Sequence, residues 1–156
     1  MVSKTENLKI CLAASSGGHL TQLLKLSESW RGYDIFFMTT TTVVREKLSR
    51  FGKVYIVGEC NRRHPIRVLL VLSRCIKIVF RERPGVVIST GAAVGCLVSF
   101  LAKILGAKII WIDSITNVEK MSLSGRMVKH IADLVLVQWI ELVDKYSNVE
   151  YVGKVI

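Results

Sequence analysis

The sequence predicts an α/β domain built on a Rossmann-like, doubly wound parallel sheet. Two observations predict it. Short β-rich runs alternate with helical stretches along the whole chain, and the runs are apolar throughout rather than at every second residue, as strands covered on both faces must be. At 156 residues the chain has the size of one domain, and no repeat, low-complexity tract or linker divides it. Residues 1–156 are therefore expected to form a single unit.

Leu8–Ala14 (LKICLAA) reads as a buried strand, Leu20–Ser29 as a helix, Asp34–Thr39 as a strand, Val43–Arg50 as a short helix and Lys53–Val57 as a strand. A long helix follows in Pro65–Arg83, ended by Pro84-Gly85, which turns the chain into a strand at Val86–Ser89. The series continues with a helix in Val94–Leu105, a strand at Lys108–Asp113, a helix around Leu123–Ala132 and a strand at Leu134–Gln138. A helix at Ile140–Tyr146 and an edge strand at Val149–Val152 complete it. In such sheets ligands sit outside the carboxyl ends of the strands where strand order reverses, here between the first and fourth strands. Ser15–His19, Thr90–Gly95 and Asp113–Asn117 each follow a strand expected to be central, so they are expected to meet at one mouth.

Composition narrows the function. With 51% hydrophobic and 22% charged residues, apolar surface is left over once the core is filled, which asks for a partner or a membrane. The net charge of +10 favours anionic surfaces: nucleic acid, acidic lipid headgroups or phosphorylated ligands. Aromatic residues do not interleave with the basic ones as base stacking would require, so nucleic acid is not expected. Cys11, Cys60, Cys75 and Cys96 show neither a C-x-x-C pair nor zinc-ligand spacing, so reduced thiols and no metal site are expected. Met1 to Lys9 lacks the apolar core of a signal peptide, which predicts a cytoplasmic protein. Pro65 to Phe80 is the most apolar stretch, but Arg67, Arg74 and Lys77 interrupt it, so no span is expected.

Four constellations carry the chemistry. In Ala14-Ser15-Ser16-Gly17-Gly18-His19, two glycines and a helix start suit an anion, or make a tight capped turn. His19 stands at that helix entrance as a candidate acid–base or phosphate-binding residue. Ser89-Thr90-Gly91-Ala92-Ala93-Val94-Gly95 lets a helix begin close to a ligand, or serves only to pack that helix on the sheet. Asp113-Ser114-Ile115-Thr116-Asn117 offers groups suited to sugar hydroxyls, or an ordinary cap. In Arg62–Arg83 (RRHPIRVLLVLSRCIKIVFRER), helical spacing gathers Arg63, Arg67, Arg74, Lys77 and Arg81 into one stripe, with Val68, Leu69, Leu72, Ile76 and Val79 on other faces. Such a helix touches anionic headgroups, or is a core helix with a basic solvent face. A nucleotide-dependent oxidoreductase is disfavoured: the dinucleotide glycines are missing, as is an acidic residue at the end of the second strand.

The joint order of Ser15-Ser16-Gly17-Gly18-His19, Ser89-Thr90-Gly91, Ile112-Asp113-Ser114 and Gly125-Arg126 leading into Ile131–Val137 resembles the acceptor-side, membrane-associating subunit of split GT-B glycosyltransferases of oligosaccharide and capsular polysaccharide biosynthesis. It is also similar to the N-terminal half of the N-acetylglucosaminyltransferase that forms lipid II. The resemblance runs from Lys9 to Gly153. It implies one half of a GT-B fold, inactive without a separate donor-binding subunit that holds most of the UDP-sugar co-substrate, with no other cofactor. The acceptor it implies is a polyprenyl-diphosphate-linked sugar. His19 becomes the catalytic candidate, and Ser16, Gly17, Gly18, Thr90, Gly91, Gly95, Asp113, Ser114 and Asn117 the substrate-binding ones. Arg63, Arg67, Arg74, Lys77 and Arg81 are the candidates for contact with an anionic membrane.

Two departures from the resembling proteins qualify the transfer. The lipid II relative has a longer first glycine-rich loop. The eukaryotic subunit usually has an N-terminal anchor; none is expected here, so a prokaryotic type is expected, attached peripherally to the cytoplasmic face of the cell membrane by the Arg62–Arg83 helix. The rival expectation is a non-catalytic scaffold that recruits a complete glycosyltransferase to the membrane.

Overall fold

Among the described residues, seven strands make one parallel sheet: β1 (Lys9–Ala13), β2 (Asp34–Thr39), β3 (Lys53–Ile56), β4 (Val86–Ser89), β5 (Lys108–Ile112), β6 (Leu134–Val137) and β7 (Glu150–Tyr151). Their order is β3-β2-β1-β4-β5-β6-β7. This is a computed structural model describing residues 8–60 and 63–155; the polar start of the chain and Arg62 lie outside them. The chain builds outward from β1 to β3, then returns to lay β4 against the other side of β1 and builds outward again. Strand order therefore reverses between β1 and β4, as expected. Their register, from Ile10 opposite Val86 to Ala13 opposite Ser89, brings the carboxyl ends of both strands level.

Among the described residues, five α-helices cover the sheet: α1 (Gly18–Lys25), α2 (Arg45–Ser49), α3 (Pro65–Glu82), α4 (Ala92–Ile104) and α5 (Leu123–Val128). Cys11 and Ala13 of β1 pack with Val71 and Val79 of α3, Val94 and Val98 of α4 and Val128 of α5. Ile10 and Leu12 point the other way and pack with Leu20 and Leu23 of α1, Trp30 and Leu48. Both faces are buried, which is why the strand runs show no polar alternation.

The helices depart from expectation at both their starts and their ends. α1 begins at Gly18 and α4 at Ala92, each two residues early, because Gly17 (φ +100°) and Gly91 (φ +131°) turn the chain directly from strand into helix. Ser27–Trp30 is a separate 3₁₀ turn, and Thr42–Val44 is another, leading into α2. α5 stops at Val128, whose carbonyl takes the amides of both Ile131 and Ala132. The helix expected over Ile140–Tyr146 is reduced to a 3₁₀ turn at Ile140–Leu142. Its flanks are committed to the loop after β5: Trp139 Nε1 donates to Ile115 O (2.7 Å) and Lys145 Nζ to Glu119 O (2.8 Å). The expected edge strand is the two-residue β7.

The basic stripe on α3 also needs correcting. Val71, Cys75, Val79 and Glu82 face the core, so Val79 is buried, whereas Leu69 and Ile76 are exposed. With Ile66, Leu70 and Phe80 these two form an exposed apolar arc, and Arg67, Arg74, Lys77 and Arg81 run along its flank. Arg74 Nη1 donates to Val57 O at 3.0 Å, and the Arg81 guanidinium lies over the Tyr55 ring, 5.2 Å from its centre. Two of the expected lipid-facing cations are thus partly engaged with the β3 edge. Among the described residues, no helix is long and apolar enough to cross a membrane. Cys11, Cys75 and Cys96 are buried, and burial pushes the Cys75 thiol up to about 12, far from the reactive thiolate range.

Candidate functional site

Loops after β1, β4 and β5 meet at the reversal point. His19, in the first turn of α1, bridges the first two. Its Nδ1 lies 2.8 Å from the Thr90 carbonyl oxygen, and the Thr90 hydroxyl donates back to the His19 carbonyl at 2.6 Å. A carbonyl only accepts, so Nδ1 carries a proton; in the neutral ring Nε2 is then left with its lone pair. The ring rests against Gly91, where an added Cβ would stand 2.6 Å from Nδ1 and Cε1. Glycine at 91 serves both the positive φ and this contact.

The groove beside His19 has a volume of about 850 Å³. Its floor is the start of α4, with Ala92, Ala93, Cys96 and Leu97; Ser114, Thr116 and Asn117 come from the loop after β5. Leu123 and Met127 of α5 and Glu59, Cys60 and Arg63, ahead of α3, complete the lining. The lining thus combines hydroxyl, amide, imidazole, carboxylate and guanidinium groups with apolar side chains. A smaller cavity of about 240 Å³ lies at the opposite edge of the sheet, near Trp30, Ile35 and Phe51, away from these loops.

Two helix starts face this edge. Neither α1 nor α4 receives a side-chain cap, so the amides of their first turns and the positive ends of their dipoles are not spent on the protein's own side chains. Ala92 holds φ +68° at the head of α4, a left-handed conformation that costs a non-glycine residue on the order of 1 kcal/mol.

The expected residues fall into two groups. His19, Ser114 and Asn117 line the groove; Gly17 and Gly18 are exposed at the α1 start, and Gly91 backs the His19 ring. The others organise the site from beneath. Ser16 is tied to Thr40 by its amide and hydroxyl (both 3.1 Å). Thr90 is fully buried and held by His19. Gly95 makes room for Ser89 Oγ, which a Cβ would approach to 2.0 Å, so it packs α4 on β4. Asp113, 1% exposed, accepts from Trp111 Nε1 (3.2 Å), Asn117 Nδ2 (3.0 Å), the Ser122 amide (3.0 Å) and the Ser122 hydroxyl (2.6 Å). Four internal donors use up the carboxylate, which orders the loop after β5 rather than offering its oxygens to a ligand. Arg63, expected on the membrane stripe, lines the groove instead.

Gln22 and Gln138, both buried, were not among the expected residues. Each had a signal. Gln22 is a polar residue inside the apolar run of α1, three positions after His19, and Gln138 ends an apolar strand as Asp113 does.

A family model described as "Oligosaccharide biosynthesis protein Alg14 like" matches residues 10–155. The chain belongs to this family. The human UDP-N-acetylglucosamine transferase subunit ALG14 is 27% identical over 99% of this chain and 86% of its own length. The corresponding subunit of Schizosaccharomyces pombe is 31% identical over 70% of this chain and 56% of its own. Among solved structures, Acinetobacter baumannii MurG superposes with a TM-score of 0.73 at 14% identity, covering 92% of this chain and 45% of that one. Methanocaldococcus jannaschii UDP-GlcNAc 2-epimerase gives 0.70 at 12% identity, covering 94% and 45%. This chain therefore spans just under half the length of the solved structures it resembles. Its sheet is one half of a GT-B fold.

Proposed function

We propose that this chain is the acceptor-binding half of a two-chain glycosyltransferase. In this reading it holds a polyprenyl-diphosphate-linked sugar, while a separate subunit binds UDP-N-acetylglucosamine and completes the active site. The Alg14-family relationship and the relatives' description as transferase subunits support the donor and the partner. The observation that carries the reading is the His19 imidazole, whose Nδ1 proton is held by Thr90 O while the ring borders a groove fit for an acceptor.

The chemistry follows from that tautomer. Nε2 takes the proton of the acceptor hydroxyl as its oxygen attacks the anomeric carbon; the bond from that carbon to the UDP oxygen breaks, and UDP leaves with the electron pair. The positive charge on the ring is eased by the Nδ1–H bond to Thr90 O. Stabilising the departing diphosphate falls to the donor subunit. The uncapped α1 and α4 starts suit the acceptor's diphosphate, and the apolar side chains of α4 and α5 suit its lipid. The exposed apolar arc of α3 with its basic flank suits peripheral attachment to an anionic membrane on the cytoplasmic face.

Replacing His19 tests this. With both chains assembled, His19→Ala is expected to lower kcat by about 10²–10⁴-fold and leave KM for the UDP-sugar unchanged. Undiminished turnover would instead favour a non-catalytic scaffold that only brings a complete enzyme to the membrane.

A further inference from the structure

A buried amide network lies beneath the groove and joins four segments. Gln138, 2% exposed, follows β6; Gln22, 7% exposed, lies in α1. Gln138 Nε2 donates to Gln22 Oε1 (2.7 Å) and to the Asp113 carbonyl (2.9 Å), and its Oε1 accepts the Val155 amide (2.7 Å). Gln22 Oε1 also accepts the Ile115 amide (3.3 Å), while its Nε2 donates to Ser114 Oγ (3.2 Å).

The partners fix the orientation of both amides. The Asp113 carbonyl can only accept and the Val155 amide can only donate, so Gln138 has one possible orientation; Gln22 must then present Oε1 to Gln138, as the Ile115 amide also requires. Gln138 thereby spends both amide protons between α1 and the loop after β5. These are the two elements that carry His19 and the Ser114–Asn117 groups of the groove. Gln22 is three residues from His19 on α1, on the same helical side, so its bonds hold the turn of α1 from which the imidazole projects toward Thr90. Gln22 itself reaches that loop through Ser114, and Gln138 braces the same junction from β6.

We propose that Gln138 and Gln22 are positioning residues that set the distance between the His19 base and the acceptor-holding loop, with the chain segment at Val155 seated as a third arm of the same network. The inference rests on the functional reading above and deepens it. Position matters at this scale, because misplacing a reacting group by about 1 Å can cost about 10²-fold in rate. Neither glutamine lines the groove, so both act through His19 and Ser114 rather than on the substrate.

The test uses Gln138→Met and Gln22→Met, which keep volume and remove the hydrogen bonds, singly and together, in two measurements. In the assembled pair, each single variant is expected to lower kcat by about tenfold or more with KM for the UDP-sugar unchanged. The double variant should lose little beyond either single, because the network is shared. In the full chain, amide exchange in Gln138→Met should quicken together in α1 and in residues 114–117 and stay unchanged in β3. Single losses that multiply in the double variant, or faster exchange confined to residues 150–155, would overturn the proposal. Should Gln138→Met fail to fold, Gln22→Met breaks the same network from the α1 side and is read the same way. Absence of transfer by the wild-type pair would overturn the functional reading and not the network, which the exchange data judge independently.

Discussion

The two edges of the sheet use polar groups in opposite ways. At the amino edge, charged side chains neutralise one another. Glu82 at the end of α3 receives the Tyr55 hydroxyl and Lys9 Nζ, with Lys53 and Arg81 nearby. Asp133, ahead of β6, pairs with Lys103 (2.7 Å) and Lys108 (3.1 Å) and accepts the Ile109 amide (2.8 Å). At the carboxyl edge two helix starts lack side-chain caps, the His19 ring is held through Nδ1 alone, and Ser114, Thr116 and Asn117, bonded within their own loop and to Gln22, line a groove. Polar groups satisfied within the chain contribute to stability, while the uncapped helix starts and the second nitrogen of His19 are available to a ligand. The contrast teaches that Asp113, although on the carboxyl edge, belongs in kind with the amino-edge carboxylates.

Variants can break or sharpen that contrast. The largest expected effect is that of Asp113→Ala, which leaves four donors without their acceptor beneath the groove. It should cost on the order of 3 kcal/mol in denaturant unfolding and lower turnover as well, because the loop after β5 loses its anchor. Gly91→Ala comes next: its Cβ meets the His19 ring at 2.6 Å in a backbone with φ +131°, so kcat should fall by about 10²-fold.

On the amino edge Glu82→Gln should cost about 1–2 kcal/mol while transfer kinetics stay as in the wild type. Its pH dependence sharpens the point. The Tyr55 hydrogen bond, then Lys9, holds the Glu82 carboxyl below its usual range, and Lys103 with the Ile109 amide does the same for Asp133. Carboxylates with depressed folded values add stability that is complete above about pH 5 and is lost as pH falls through those values. Unfolding midpoints measured against pH should therefore fall on acidification, and less steeply in Glu82→Gln. The smallest effect is expected for Ala92→Gly, which relieves a positive φ of 68° and should stabilise the chain by about 0.5–1 kcal/mol.

Most of the fold was legible in the sequence because a parallel sheet writes itself as apolar runs, and because Pro84-Gly85 and the loop glycines punctuate it. The helix at Ile140–Tyr146 was misread because tertiary bonds from Trp139 and Lys145 to the loop after β5 outweigh local propensity. In the candidate site, the convergence of three loops followed from strand order, which is why His19, Ser114 and Asn117 meet in the lining of one groove. The burial of Asp113 was not legible, because the same carboxylate after a strand serves a ligand or a loop, and only its four partners decide. Gln22 and Gln138 escaped because their meaning lies in a contact between residues 116 positions apart. On α3 the apolar residues do lie off the basic stripe, but which of them are exposed was not legible, since periodicity locates a face without saying which face meets the sheet.

The account's central claim is that this chain supplies the acceptor half of an active site that a second chain completes. The most direct measurement is sugar transfer from UDP-N-acetylglucosamine and other UDP-sugars to a polyprenyl-diphosphate-linked sugar in liposomes, with this chain alone, the donor-binding chain alone, and both together. Transfer by the mixture only is the predicted result; equal transfer by the donor-binding chain alone would contradict it.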